Sequence, residues 1–134
     1  MKRIIFTNES GGVSVVIPTG EADIDTLIAS VVPEGADYSV VDEADLPADR
    51  TFRDAWVKSG DAVDHDITKA QAITKDRLRA ERAPMLDLLD VYYIRAIESA
   101  ADTAAIVAEK QRLRDITKLV DEANTLDELK GITL

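Results

Sequence analysis

The 134-residue chain contains no cysteine. This excludes disulfides, thiolate nucleophiles and cysteine-type zinc sites, removes any thiol redox role, and fits folding in a reducing compartment. Only one histidine, His65, is present. No Ser-His-Asp arrangement emerges around it, and no Gly-x-Gly-x-x-Gly or Gly-x-x-x-x-Gly-Lys loop is present to cradle phosphate. Aromatic residues make up 4% of the chain, so the core must rest on Leu, Ile, Val and Ala, with Phe6, Phe52 and Trp56 as the conspicuous exceptions. No apolar run reaches the roughly 18 residues of a membrane span. The apolar part of Lys2–Thr7 is too short for a signal-peptide core. Bases are outnumbered 16 to 26, for a net charge of −10, which opposes binding to phosphate backbones, so neither nucleic acid nor membrane is an expected partner.

What is present is a globular composition, 46% apolar and 31% charged, of a size for one ordinary domain or two small ones. The acidity is uneven: residues 1–65 hold 13 acids against 5 bases, and residues 66–134 hold 13 against 11. The β-branched and aromatic stretches Lys2–Thr7 and 13–17 predict two strands. Between them, Gly11 and Gly12 offer the positive φ of a hairpin loop. Ile24, Leu27, Ile28 and Val31 then recur at helical spacing behind the acids Glu21, Asp23 and Asp25, and Pro33 ends that helix. Residues 37–41 predict a third strand, followed by an acidic loop at 42–50. The spacing of Phe52, Ala55 and Trp56 predicts a helical turn within 51–58. The expected first domain is therefore a ββαβ head over residues 1–60.

Residues 61–134 predict a long antiparallel helical hairpin, giving an α+β protein. Ile67, Ala70, Ile73 and Thr74, then Met85, Leu88, Leu89, Tyr92 and Ala96, repeat every three or four positions. Pro84 interrupts them and is expected to kink or break the helix, at about 3 kcal/mol in a regular interior. A second helix is expected from Thr103, with Ile106, Lys110, Leu113, Thr117 and Val120 on one stripe. Thr125 and Glu128 have capping-box spacing for a last short helix ending at Gly131.

Three groups could carry chemistry. Asp61-x-x-Asp64-His65-Asp66 could hold a divalent cation, which makes a metal-dependent enzyme one reading; helix capping by Asp64 or Asp66 is the preferred one. The loop at 42–49 lacks the spacing of a calcium site, and Asp87 and Asp90 are better explained by ion pairing with nearby arginines than as a catalytic pair. No cofactor, metal or catalytic residue is therefore expected. The basic run Lys75, Arg77, Arg79 and Arg82 predicts a solvated face, with an acidic partner or the acidic head as the alternative. Phe52 and Trp56 are expected to lock the head onto the long helix, or else to anchor a partner.

The residues Thr51-Phe52-Arg53-Asp54-Ala55-Trp56, Lys69-Ala70, Arg77-Leu78-Arg79, Arg82-x-Pro84-Met85-Leu86, Leu89-Asp90 and Gln111-Arg112-Leu113-Arg114-Asp115-Ile116-Thr117 resemble a group of small tailed-bacteriophage proteins. Over roughly residues 66–120 the chain is similar to phage tail assembly chaperones. There an Arg-rich helix bearing paired leucines and an aspartate precedes a helix ending in Leu-Arg-Asp. The better-known tail-fibre chaperones have an aspartate-tryptophan step where this chain has Asp90-Val91-Tyr92. The resemblance implies a non-enzymatic protein acting by protein–protein contacts in tail or tail-fibre assembly. Its partners would be tail or tail-fibre proteins, and its location the host cytoplasm during assembly. The alternative is a structural component retained in the virion. Self-association through the helices is a further expectation. The expected contact residues are Phe52, Trp56, Arg77, Arg82, Leu89, Tyr92, Leu113 and Arg114.

Overall fold

The structure, a computed structural model, describes residues 1–21 and 23–134. It is an α+β protein with two compact units, Met1–Lys69 and Ala70–Leu134.

In the first unit, β1 (Lys2–Thr7) pairs antiparallel with β2 (Val13–Val16), setting Ile5 opposite Val15 and Thr7 opposite Val13. Asn8 organises the loop: its Oδ1 accepts from the backbone N–H groups of Ser10 (3.1 Å) and Gly12 (3.0 Å). Of the two glycines, only Gly11 takes the left-handed conformation, at φ 80°. Helix α1 (Ile24–Val31) then leads to β3 (Tyr38–Asp42), which pairs antiparallel with the other edge of β1. The sheet order β2-β1-β3 makes β1 central, so Arg3, Ile4, Ile5 and Phe6 are all buried. The expected ββαβ arrangement is therefore present.

Residues 51–58 depart from the expected helical turn. Only Arg53–Ala55 form one turn of 3₁₀ helix, and Trp56 opens a strand, β4 (Trp56–Ser59), that pairs with β5 (Ala62–His65). Gly60, at φ 60°, supplies the turn. The helical spacing of Phe52, Ala55 and Trp56 reflects inward-facing side chains of a turn running into a strand. The fully buried Trp56 packs with Ile5, Val13 and Val41, against which Val15, Leu46 and Val63 are also packed.

In the second unit the hairpin is present. Helix α2 (Ile67–Glu98) runs unbroken through Pro84. The helix does not restart there because Pro84 and Ala80 both lie on the exposed side, where water can satisfy the carbonyl left without its usual N–H. At its C-terminus, Ala100 N–H donates to the Ile97 carbonyl (3.1 Å) and Ala101 N–H to the Ala96 carbonyl (2.8 Å). This is the Schellman pattern, here with alanine rather than glycine in the left-handed position, at φ 55°.

The returning chain is not the single helix expected to carry the stripe from Ile106 to Val120. It forms α3 (Ala104–Asp115) and α4 (Lys118–Glu122), with a corner at Ile116 and Thr117. Arg82 explains why the corner is stable: its Nη1 donates to the Leu113 (3.1 Å) and Arg114 (3.0 Å) carbonyls freed where α3 stops. The stripe itself survives: Leu113 and Val120 are buried, as is Ile116 beside them, and Ile106, Lys110 and Thr117 are half-buried. Cross-connections fix the antiparallel sense: Asp90 meets Lys110, Arg82 meets Leu113, Lys75 meets Asp121 and Gln71 meets the Ala123 carbonyl. Finally, α5 (Leu126–Gly131) is capped by Thr125 Oγ1, which accepts from Glu128 N–H (3.1 Å), while Glu128 accepts from Asn124 N–H (2.7 Å).

Candidate protein-contact surface

The carboxylates near His65 serve separate structural tasks. Asp66 accepts from Thr68 N–H (2.9 Å) and Lys69 N–H (3.3 Å), capping α2. Asp61 accepts from Ser39 Oγ (2.7 Å), and Asp64 from the His65 backbone N–H (2.8 Å). His65 itself meets the Trp56 ring edge-on, centroid to centroid 6.5 Å. Among the described residues, no group of three His, Cys, Asp or Glu side chains converges as a metal site would require. In the loop at 42–49, Asp42 pairs with Lys2 and Glu43 with Arg3.

Two depressions indent the first unit. One of about 310 Å³ is lined by Arg3, Val15, Leu46 and Arg50 among others, and one of about 400 Å³ by Ile28, Val32, Pro33 and Tyr38 among others. Each holds a single carboxylate, Glu43 in the first and Glu34 in the second, and no histidine.

The expected contact residues fall into three classes. Phe52, Trp56 and Leu113 are buried. Trp56 lies in the core of the first unit, where the Arg53 guanidinium sits 4.4 Å from the indole centroid while donating to the Val13 carbonyl (2.6 Å). Burial, and then the charge of Arg50, lowers the Arg53 pKa, opposed by Asp54. Trp56 Nε1 has no hydrogen-bond partner among the described residues. Arg77, Arg82 and Leu89 are half-buried, and Tyr92 and Arg114 are exposed. The basic run is used within its own unit: Lys75 pairs with Asp121, Arg77 with Glu81 and the Ile132 carbonyl, Arg79 with Asp76, and Arg82 with the end of α3. Asp90 pairs with Lys110 rather than with an arginine.

The surface that stands out is on the distal half of α2. The buried residues of this helix are Ala70, Thr74 and Leu78, and none follows in the next twenty positions. Yet residues 85–97 are the most apolar stretch of the helix, broken only by Asp87, Asp90 and Arg95. One face, with Leu86, Leu89, Tyr93 and Ala96, is half-buried, and Lys110 covers the Tyr93 ring at 5.3 Å. Met85 (39%), Leu88 (51%), Tyr92 (44%), Ile94 (55%) and Ile97 (55%) remain exposed. A helix apolar on all sides normally belongs to an interior, and each of these side chains keeps roughly half of the ~1.5–3 kcal/mol that full burial would add.

Sequence spacing puts Met85, Leu88 and Tyr92 on one repeat with Leu89 and Ala96, and of the three only Tyr92 is among the expected contact residues. The signal that spacing passes over is the absence of a polar face between 85 and 97. No helix among the described residues is long and apolar enough to cross a membrane. No protein-family model, curated protein or solved structure matches the chain.

Proposed function

We propose that this is a non-enzymatic bacteriophage protein that acts by protein–protein contacts in tail or tail-fibre assembly, with the distal half of α2 as its contact surface. The observation that carries the reading is the inverted apolar distribution of α2. The part that packs is poor in large apolar side chains, and the part rich in them is left half-exposed. An apolar surface of this kind marks an interaction site. The commitment of Asp61, Asp64 and Asp66 to hydrogen bonds within the fold supports the non-enzymatic side of the proposal. The phage context, with the host cytoplasm as the place of assembly, comes from the resemblance of residues 66–120 to tail assembly chaperones.

The test is affinity purification of the tagged chain from infected cells, alongside a Leu88→Glu variant. Tail or fibre proteins should co-purify with the first and be lost with the second. Capture of the same proteins by both overturns the assignment of the surface, and absence of any phage structural protein overturns the assembly role. Mass spectrometry of purified particles should find the chain missing; its presence would make it a virion component instead.

A further inference from the structure

Glu81, Met85, Leu88, Tyr92 and Arg95 follow one another at steps of four, three, four and three along α2. This is the heptad seam of a helix that packs on another helix, and it lies beside, not within, the face half-buried in the hairpin. Met85, Leu88 and Tyr92 are 39%, 51% and 44% exposed. The seam is acidic at one end, apolar in the middle and basic at the other. Arg95 has no ion-pair partner among the described residues, and Glu81 has only a 3.3 Å contact with Arg77, whose guanidinium is shared with the Ile132 carbonyl.

We infer that this seam pairs with the same seam of a second copy of the chain, antiparallel, with Leu88 on the two-fold axis. In that register Leu88 meets the partner's Leu88, Met85 meets the partner's Tyr92, and Glu81 meets the partner's Arg95, each of the last two twice. The two-fold operation keeps each side chain on its own lateral side of the seam. Glu81, Leu88 and Arg95 share one side and Met85 and Tyr92 the other, so each contact joins residues that face each other. A parallel pair would instead stack like charges at both ends. The seam spans about 22 Å of helix, short for the ~1,200 Å² of a standard stable interface, so the dimer exchanges with monomer in the micromolar range. This inference rests on the proposed contact surface and names its occupant.

Sedimentation velocity of the full chain between 5 and 500 µM tests it, with helical content and melting temperature recorded for every variant. The weight-average mass should rise toward twice the monomer, and Leu88→Glu should hold it at the monomer without altering the melt. Arg95→Glu and Glu81→Arg should each weaken association about tenfold, and the double exchange should restore it. Because the chain has no cysteine, Leu88→Cys provides a direct probe of the register. It should form a disulfide-linked dimer under mild oxidation far faster than Ile97→Cys, which lies off the seam. Monomer at every concentration overturns the self-pairing, as does equal cross-linking at 88 and 97 or a charge exchange that restores nothing. If the chain stays monomeric but Leu88→Glu still abolishes capture of phage proteins, self-pairing fails while the contact surface stands.

Discussion

Ala100 closes the loop between α2 and α3 at φ 55°, the only non-glycine residue with positive φ among those described. Its side chain is exposed, so replacing it with glycine removes no packing. An L-residue in the left-handed region is strained by roughly 1–2 kcal/mol, which glycine does not suffer. Against this, glycine gives the unfolded chain more freedom, worth about 0.4–1 kcal/mol. The balance for Ala100→Gly is a stabilisation of about 0.5–1 kcal/mol. With a urea slope of about 1–3 kcal/mol per molar, the midpoint of unfolding should rise by a few tenths of a molar at unchanged slope. Far-UV circular dichroism suits the assay, because the second unit holds most of the helix. Ala101→Gly is the control: Ala101 has no positive φ, and glycine there should lower the midpoint. A lower or unchanged midpoint for Ala100→Gly would refute the Schellman closure at this loop.

Trp56→Ala should cost about 3–5 kcal/mol, and hydrogen exchange should show protection lost across β1 to β5. Trp56→Phe should cost clearly less, because the indole Nε1 it removes has no hydrogen-bond partner among the described residues. Arg82→Met should cost about 1–2 kcal/mol by leaving the Leu113 and Arg114 carbonyls to water, with faster amide exchange confined to the α3–α4 corner. Acid should weaken the second unit through two half-buried carboxylates. Glu109 is held below the ordinary range by a hydrogen bond from Arg112, and Asp115 by hydrogen bonds from Lys118 and then Gln111. Their stabilisation is complete above the unfolded values near about 4 and is lost as pH falls through the lower folded values. NMR titration should place both midpoints below those of the unfolded chain, and a midpoint at or above that value for Asp115 would contradict the geometry.

Local patterns made much of the fold legible. The first hairpin, α1, β3, the unbroken stripe of the returning helices and the Thr125 cap all follow from rules that operate within a few residues. The second hairpin is hidden because Phe52, Ala55 and Trp56 mimic helical spacing over one turn, and the strand that Trp56 opens depends on pairing with Ala62–His65. The end of α3 was missed because its cause, Arg82, lies more than 30 residues away in sequence and acts only once α2 and α3 are side by side. The contact surface was half legible. Its residues are plain in the sequence, but an apolar residue at helical spacing reads as core whatever it faces. Only the burial pattern separates Leu89, which packs within the hairpin, from Leu88, which does not.

The position of β1 at the centre of its sheet has a consequence for how the chain is made. As the ribosome extends it, Lys2–Thr7 is made well before its second partner strand, which ends only at Asp42, and the Trp56 that seals the same core comes later still. At about 5–20 residues per second, this β-branched segment waits for seconds with an edge unpaired, in the state that favours association between nascent chains. Mutations that weaken β3 or the Trp56 cluster should therefore appear first as poor soluble yield, before any change in the melting of the finished protein.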